Sequence, residues 1–402
     1  MKLSEELQWR GFVAQSTFKD ISDLDSKKRT FYFGADPSEN SMTIGNLAAI
    51  MLVKTFIRHG FSPYLLVGGA TGMIGDPKDT EERTLKTPEE IDTNKRGLHE
   101  QFTRIVGADV PLVDNYDWFK DIAFLPFLRD IGKQFSMTQL LDRDFVKSRV
   151  GEGKSGISYA EFSYSLIQGY DFLYLYREYG VDLQVCGADQ WGNSVSGMHL
   201  IKRLEGADTD VFACPMIIDK VSGRKFGKSE GNAIWLSSDR TSVFDFYQFW
   251  LNVDDDGVED YIKIYTLIDR DEVEEIMEIH RKNPGVRGAQ KALALGVTEV
   301  VHGRDFAVNA VHITNVLFGD EDVRELSTDG LKLLSDTIPT AKKGSTAVEI
   351  LVSTDIAKSN GEAMRLIKGN AVSVNDEKIS EDHKITDLSL VKKGKNQFIL
   401  VK

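Results

Sequence analysis

The sequence predicts an α/β domain built on a parallel sheet, followed by an all-helical domain and a small α+β domain at the C-terminus. Three observations predict this order. In the first half, short apolar runs that end on Gly and Asp alternate with stretches of helical periodicity, the pattern of a parallel sheet with helices on both faces. From about residue 240, helical periodicity takes over, with few strand signals up to Leu317. The last stretch mixes both patterns and changes the sign of the charge. Residues 341–402 hold 11 Lys/Arg against 8 Asp/Glu in a chain of net charge −13, which leaves −16 on the remainder. A chain of 402 residues also exceeds one ordinary core, so two or three domains are expected.

The elements follow in order. Phe31 to Ala35 read as a short buried strand, and the next six residues, DPSENS, supply turn and helix-capping chemistry. Thr43 to Gly60 place apolar residues at helical spacing and stop on glycine. Ser62 to Val67 form a second strand that runs into a glycine-rich turn, GGATG. Tyr179 to Asn193, YGVDLQVCGADQWGN, repeat the theme of an apolar run closed by Gly and Asp. Helical segments follow over Ser242–Asn252, Val258–Ile268, Arg270–Asn283 and Val286–Gly303. Gly319 to Lys343, rich in Asp, Gly and Thr, read as a linker. The tail then reads as two helices, the second over Ser359–Gly369, and short strands.

Composition excludes several classes. Hydrophobic residues make up 41% and charged residues 28%, the balance of a globular protein. No run of about 18 apolar residues suggests a membrane span, and the charged N-terminus, MKLSEELQWRGF, is no signal peptide. Cys186 and Cys214 form no CxxC pair, so neither a disulfide framework nor a zinc site is indicated, and the chain reads as cytoplasmic. Two Gly-Lys-Ser triplets, at 153–155 and 227–229, fail as phosphate loops because Ser148 and Ser222 stand where the first glycine belongs. Asn252, Asp254, Asp256 and Gly257 imitate a calcium loop, but its twelfth position is Lys263 and not Glu. No metal site is expected. A basic tail on an acidic body fits a small RNA- or anion-binding module, or simply a solvated face.

Three segments carry chemistry. In the first, Gly34 and Gly45 let backbone lie close to a flat base or sugar, and the helix that starts near Thr43 and Asn46 favours phosphate oxygens. The second is the basic loop Arg224 to Ser229. Its Lys225 and Lys228 suit a pentavalent phosphate, whose extra charge exists only in the transition state. In the third, Tyr164, Gln168 and Asp171 lie at i, i+4 and i+7 on one helix face, where a phenol, an amide and a carboxylate can fix a small polar ligand. Asp76 and the Asp189-Gln190 pair add polar groups at strand ends. Taken singly, these segments also fit a plain strand–turn–helix, a solvated basic turn and a satisfied core network.

Together they resemble the bacterial tyrosyl-tRNA synthetases, over essentially the whole chain. The resemblance rests on WRGFVAQST, GGATGMIGDP, NYDW at 115–118, YSLIQGYDF, GADQWGN, KFGKS, the AQKALALGVTEVVHG helix and the tail GEAMRLIKGNAVSVNDEKI. It implies that Tyr32 and Asp171 hold the phenol hydroxyl of tyrosine, and that Asp76, Tyr164 and Gln168 hold its α-ammonium group. It implies that Gly34, Asp36, Ser38, Gly45, Asp189 and Gln190 surround ATP and the acyl-adenylate. Lys225 and Lys228 then meet the pyrophosphate portion. Lys358, Arg365 and Lys368 of the tail are the implied RNA contacts.

The resemblance further implies tyrosine, ATP with Mg²⁺ and tRNA(Tyr) as reactants, and a homodimer. The family's His-Ile-Gly-His signature reads Thr43-Ile44-Gly45-Asn46 here, so Thr43 and Asn46 stand at the catalytic histidine positions. The loop from Pro77 to Arg83 is shorter and more acidic than the family's form. The expected organisation is a Rossmann-like catalytic domain over 1–225, a KFGKS loop and helical anticodon-binding domain over 226–325, a linker over 326–339 and an RNA-binding domain over 340–402. Two rivals remain, a tryptophan-activating relative and a non-catalytic RNA-binding paralogue. The Tyr32/Asp171 pair and the tail count against the first, and the retained lysines and the Tyr164/Gln168/Asp171 set count against the second.

Overall fold

The structure is a computed structural model that describes all residues except 75–86, 142–143, 151–155, 219, 221–222, 224–227 and 230–231. Of residues 139, 144, 145, 148, 228, 229 and 232 it describes the backbone alone. Two compact units form. One is Met1–Ser237 with Asp254–Met277, and the other is Ser238–Val253 with Glu278–Lys402.

The first unit is built on six strands: β1 (Gln15–Ser16), β2 (Thr30–Ala35), β3 (Ser62–Val67), β4 (Leu112–Asp114), β5 (Leu183–Gly187) and β6 (Asp210–Cys214). Their order is β1-β6-β5-β2-β3-β4, parallel throughout except for β1, which pairs antiparallel with β6 at the edge. The chain winds outward from β2 to β4, then returns past β2 to β5 and β6. The winding direction therefore reverses between β2 and β5, where Phe31 faces Leu183 and Tyr32 faces Gln184. Ligands in open parallel sheets bind beyond the strand ends at such a reversal. The central strands read as continuous apolar runs because helices cover both faces, and Phe31, Val185 and Phe212 are wholly buried.

Helices α1 (Leu3–Arg10), α2 (Ile44–Arg58), α3 (Gly69–Ile74) and α4 (Pro88–Val106) come first. Short helices α5 (Tyr116–Phe119), α6 (Phe124–Asp130), α7 (Met137–Leu141) and α8 (Asp144–Arg149) lead to α9 (Tyr159–Tyr179) and α10 (Trp191–Glu205). A two-stranded pair, β7 (Lys228–Ser229) and β8 (Asn232–Ala233), follows the sheet. In α2 the buried residues Ile44, Leu47, Ala48, Met51 and Thr55 keep the helical interval, and the helix stops before Gly60 at φ 83°.

Three expectations need correction, two of them in the first unit. The glycine-rich turn after β3 is the helix α3. Glycine is a poor helix former, but the first N–H groups of α3 are held from outside. Asp114 Oδ1 accepts from Gly69 N–H at 3.0 Å, and Asn115 Oδ1 accepts from Ala70 N–H at 2.7 Å. The glycines are needed for closeness: a Cβ on Gly69 would sit 2.2 Å from Asp114 Oδ1.

The second correction concerns α11 (Val243–Leu251), α12 (Asp255–Tyr265) and α13 (Arg270–Lys282), expected together in one helical domain. Residues 254–277 instead pack with the first unit. Arg10 gives the reason. It is buried in α1, paired with Glu6 at 2.8 Å, and donates to the carbonyls of Lys263, Thr266 and Ile268 at 2.6, 3.0 and 3.3 Å. The C-terminal end of α12, rich in unsatisfied carbonyls, is thus capped by a cation from the chain's first helix.

In the second unit, α11 packs with α14 (Gly288–His302), α15 (Arg304–Phe318) and α16 (Thr328–Thr337). α16 occupies most of 326–339, the stretch expected as a linker. Ser327 caps it by accepting from Gly330 N–H at 3.0 Å, and Leu334 is fully buried. The tail carries β9 (Thr340–Ala341), α17 (Ala347–Ser353), α18 (Asn360–Lys368), β10 (Val372–Val374), β11 (Glu377–Lys378), β12 (Ser389–Lys393) and β13 (Gln397–Val401). Its five strands form one sheet, β11-β10-β12-β13-β9.

Candidate functional site

A cavity of about 530 Å³ opens at the reversal between β2 and β5. Its walls come from the end of β2, the segment 36–46, α3, one face of α9, and the turn that follows β5. The i, i+4, i+7 spacing on α9 brings Tyr164, Gln168 and Asp171 to this cavity together, and Tyr32, Gly34, Asp36 and Ser38 face them. Thr43, Gly45, Asn46, Asp189 and Gln190 also line it.

At the closed end lies Asp171, 1% exposed. Its Oδ1 accepts from Trp118 Nε1 at 3.0 Å and its Oδ2 from Asn115 Nδ2 at 3.2 Å. Burial pushes its carboxyl up to about 7 against a usual 3.8, the two donors oppose that rise, and the charges of Asp36 and Asp114 add to it. The Tyr32 hydroxyl is buried in the same region with no hydrogen-bond partner among the described residues. Burial first, then the Asp171 charge, holds that phenol well above its ordinary range. The side-chain carbonyls of Gln168 and Gln184 are buried acceptors, also without partners among the described residues. Buried polar atoms are almost always satisfied. An unfilled donor and two unfilled acceptors around one cavity therefore describe a polar ligand with a hydroxyl and a donor group.

Nearer the opening, Asp36 accepts from Tyr164 Oη at 2.9 Å and from Thr71 Oγ1 at 2.9 Å. Tyr164 donates its proton there. Gly34 faces open space. After β5 the chain makes one 3₁₀ turn, Ala188–Gln190, and enters α10. Gln190 is held by the amide of Asn193 at 3.3 Å, itself bonded to Ser165 at 2.8 Å.

At the start of α2, Asn46 Oδ1 accepts from the Thr43 N–H at 3.0 Å and from the Thr43 hydroxyl at 3.1 Å. A backbone N–H can only donate, so the oxygen of this amide must face it and the NH₂ must face the other way. The hydroxyl proton of Thr43 is thereby engaged by Asn46.

Asp76 and Lys225 lie outside the described residues, and for Lys228 only the backbone, in β7, is described. Lys358, Arg365 and Lys368 stand on or beside α18 and are all exposed, opposite the buried Ala363 and Ile367. Among the described residues no group of three His, Cys, Asp or Glu could hold a metal ion. Sequence reasoning gave no role to Asn115, Trp118, Thr71 or Gln184. NYDW stood just past a strand end, but nothing in it pointed to a residue 56 positions away.

The family described as tRNA synthetases class I (W and Y) matches residues 25–319, and that described as the tyrosine–tRNA ligase SYY-like C-terminal domain matches residues 331–402. The chain is 38% identical to a tyrosine–tRNA ligase of Flavobacterium psychrophilum, over 99% of this chain and 96% of that one. It is 39% identical to that of Lactiplantibacillus plantarum, over 100% and 97%. Among solved structures, a C-terminally truncated mitochondrial tyrosyl-tRNA synthetase of Aspergillus nidulans aligns with a TM-score of 0.71 at 29% identity, covering 79% of this chain and 94% of that one. A tryptophanyl-tRNA synthetase of Plasmodium falciparum shares the fold alone, at TM-score 0.55 and 16% identity, covering 82% of this chain and 89% of that one.

Proposed function

We infer the working parts of the site from one premise: the chain belongs to the class I tRNA synthetases, among the tyrosine–tRNA ligases. It is an ATP-dependent enzyme that joins tyrosine to tRNA. The reading of individual residues rests above all on Asp171, a buried carboxylate with two donors already on it, in the same pocket as the orphaned hydroxyl of Tyr32. The tyrosine phenol donates to Asp171 and accepts from Tyr32. Gln168 and Tyr164 offer neutral acceptors to the α-ammonium group, joined by Asp76. Gly34, Asp36, Ser38, Gly45, Asp189 and Gln190 border the nucleotide. Lys225 and Lys228 meet its β- and γ-phosphates, with Asn46 as a further donor.

In the first step, a carboxylate oxygen of tyrosine bonds to the α-phosphorus of ATP while the bond to the bridging oxygen breaks, and pyrophosphate leaves. In the second, a terminal ribose hydroxyl of tRNA attacks the acyl carbon, the bond from that carbon to the phosphate oxygen breaks, AMP departs, and the hydroxyl proton passes to solvent. The carboxylate is already a nucleophile, so the protein supplies position and charge stabilisation rather than a base. Mg²⁺ would come with ATP as the counter-ion of its phosphates and would neutralise part of the charge on the departing pyrophosphate.

Further parts of the reading concern assembly. Phe124, Leu125, Met137 and Tyr159 are large apolar side chains exposed on α6, α7 and the start of α9. A second copy of the chain covers such a surface in a homodimer. Exposed Lys358, Arg365 and Lys368 contact tRNA phosphates. Joining tyrosine to tRNA is work of the cytoplasm, and no helix among the described residues is long and apolar enough to cross a membrane. Residues 1–225, 226–325 and 340–402 keep their catalytic, anticodon-binding and RNA-binding roles, although the packing boundaries differ.

The decisive experiment is tyrosine-dependent exchange of labelled pyrophosphate into ATP by the wild type. Exchange with tyrosine and not with tryptophan is expected. A folded protein that binds tyrosine but gives no exchange would establish the non-catalytic paralogue instead.

A further inference from the structure

The nucleotide wall of the cavity is the segment 36–46, most of it without regular structure, and something must fix it. One face of α4 does so. Asn94, Gly97 and Gln101 recur at intervals of three and four and so share a side of that helix. Asn94 Nδ2 donates to the carbonyl of Pro37 at 2.9 Å. Gly97 lies so close that a Cβ would stand 2.5 Å from the carbonyl oxygen of Asn40. Gln101 accepts from Met42 N–H at 2.8 Å and donates to Ser41 Oγ at 3.1 Å. Asn94 and Gln101 are buried, 8% and 6% exposed, so neither is a surface residue with a chance contact.

Gln101 sits at a node. Ser41 Oγ also accepts from Ser237 N–H at 3.2 Å and donates to the Met42 carbonyl at 3.0 Å, and that carbonyl accepts from Leu236 N–H at 2.8 Å. Ile44 N–H donates to the Ile234 carbonyl at 3.0 Å, and Thr43 bridges Trp235. The segment that returns from the KFGKS loop is therefore bound to the start of α2 through a node in which the side-chain amide of Gln101, the Ser41 hydroxyl, and the N–H and carbonyl of Met42 all have partners. Fully satisfied buried networks specify one geometry.

We propose that Gln101 is a positioning residue for the ATP step. Acting through Ser41 and Met42, it sets where the phosphate-facing start of α2 and the return from the KFGKS loop meet. This rests on the tyrosine–tRNA ligase reading of the site. Gln101 itself does not line the cavity. The phenol end, built on Asp171, Asn115 and Trp118, shares no hydrogen bond with it.

The test uses Gln101→Met, which keeps length and packing while removing both hydrogen bonds. Its control is Ile105→Val, a buried change one turn further along the same helix. Thermal stability, tyrosine binding and pyrophosphate exchange are measured for the wild type and both variants. Gln101→Met should lower kcat for adenylate formation by roughly ten- to hundredfold and raise the KM for ATP, the scale of a misplaced reacting group. Tyrosine affinity should stay within about twofold, because binding at the phenol end is made elsewhere. ATP kinetics indistinguishable from Ile105→Val would overturn the proposal, as would an equal loss of tyrosine binding. Absence of exchange in the wild type itself would instead remove the ligase reading, and this proposal with it.

Discussion

Asn46 is the sharpest place to perturb the proposed phosphate site, because the structure gives the two ends of its side chain different surroundings. Its oxygen serves the helix start, accepting from the Thr43 N–H and hydroxyl, and its NH₂ is the group left to donate toward the cavity. Asn46→Ala removes both and should lower kcat for adenylate formation by roughly 10², the lower end for loss of one preorganised donor. Asn46→Asp keeps the acceptor and places a negative charge in the first turn, where the helix dipole favours it. The melting temperature should hold or rise. The same carboxylate faces phosphate, and like charges about 4 Å apart at an effective dielectric of about 20 repel by about 4 kcal/mol, roughly a thousandfold in rate. Thr43→Val loses one of two bonds to Asn46 and should cost less than Asn46→Ala, and nothing further in the double variant, since Thr43 acts through Asn46. Single-turnover adenylate formation and thermal melts read both properties. A stable Asn46→Asp protein with wild-type rate, or additive losses in the double variant, would refute the division of labour.

Other outcomes follow from the same geometry. Folding lifts the Asp171 carboxyl from 3.8 to about 7, so the folded chain binds more protons than the unfolded one between these values. Its contribution to stability is therefore full below the lower value and falls as pH rises toward the upper one, a slope that denaturant midpoints should show in wild type and lose in Asp171→Asn. Tyr32→Phe should leave tyrosine activation substantial and narrow the tyrosine-to-phenylalanine ratio of kcat/KM, because it removes a donor that only the phenol can use; an unchanged ratio would remove Tyr32 from recognition. Burial pushes the Cys186 and Cys214 thiols up to about 12, so neither should alkylate in the native protein at neutral pH, and both should react once unfolded. Replacing Lys358, Arg365 and Lys368 by Ser should spare pyrophosphate exchange, raise the KM for tRNA and flatten its salt dependence by up to about 0.7–0.9 per lost phosphate contact; normal charging at low tRNA would assign the tail another role.

What was legible in the sequence was whatever local periodicity decides. β2, β3 and β5 announce themselves as apolar runs closed by glycine or a polar turn, because strands buried on both faces need no alternation. Tyr164, Gln168 and Asp171 converge because helical spacing alone puts them on one face. Asn115 and Trp118 did not show, because their partner Asp171 reaches them only when β4 and α9 are folded together. The helix α3 was hidden for the same reason: its glycines vote against helix, and the votes that win come from Asp114 and Asn115. At the start of α2 the residue types did not show that Thr43 and Asn46 bond each other, which only the geometry reveals.

The linker that became α16 carries the largest consequence. Ser327, Asp329 and Gly330 read as a loop, yet they are cap and first turn, and the leucines that follow serve a core that runs across the expected domain boundary. Phe244, Ile313, Leu317 and Leu334 of the helical part pack in one buried cluster with Leu390, Phe398 and Leu400 of the tail. Removing residues 340–402 would uncover that cluster. Truncating a single buried Phe already costs about 3–5 kcal/mol, a large part of the stability of most domains. Lost charging in a truncated chain would therefore report an opened core as readily as a lost RNA contact. The basic residues on and beside α18 are free of this ambiguity, since Lys358, Arg365 and Lys368 are exposed while Ala363 and Ile367 are the residues of that helix that are buried. Charge removal there changes what the surface offers to phosphate while every residue of the shared core stays in place, so a tRNA-specific loss in that variant can be assigned to binding.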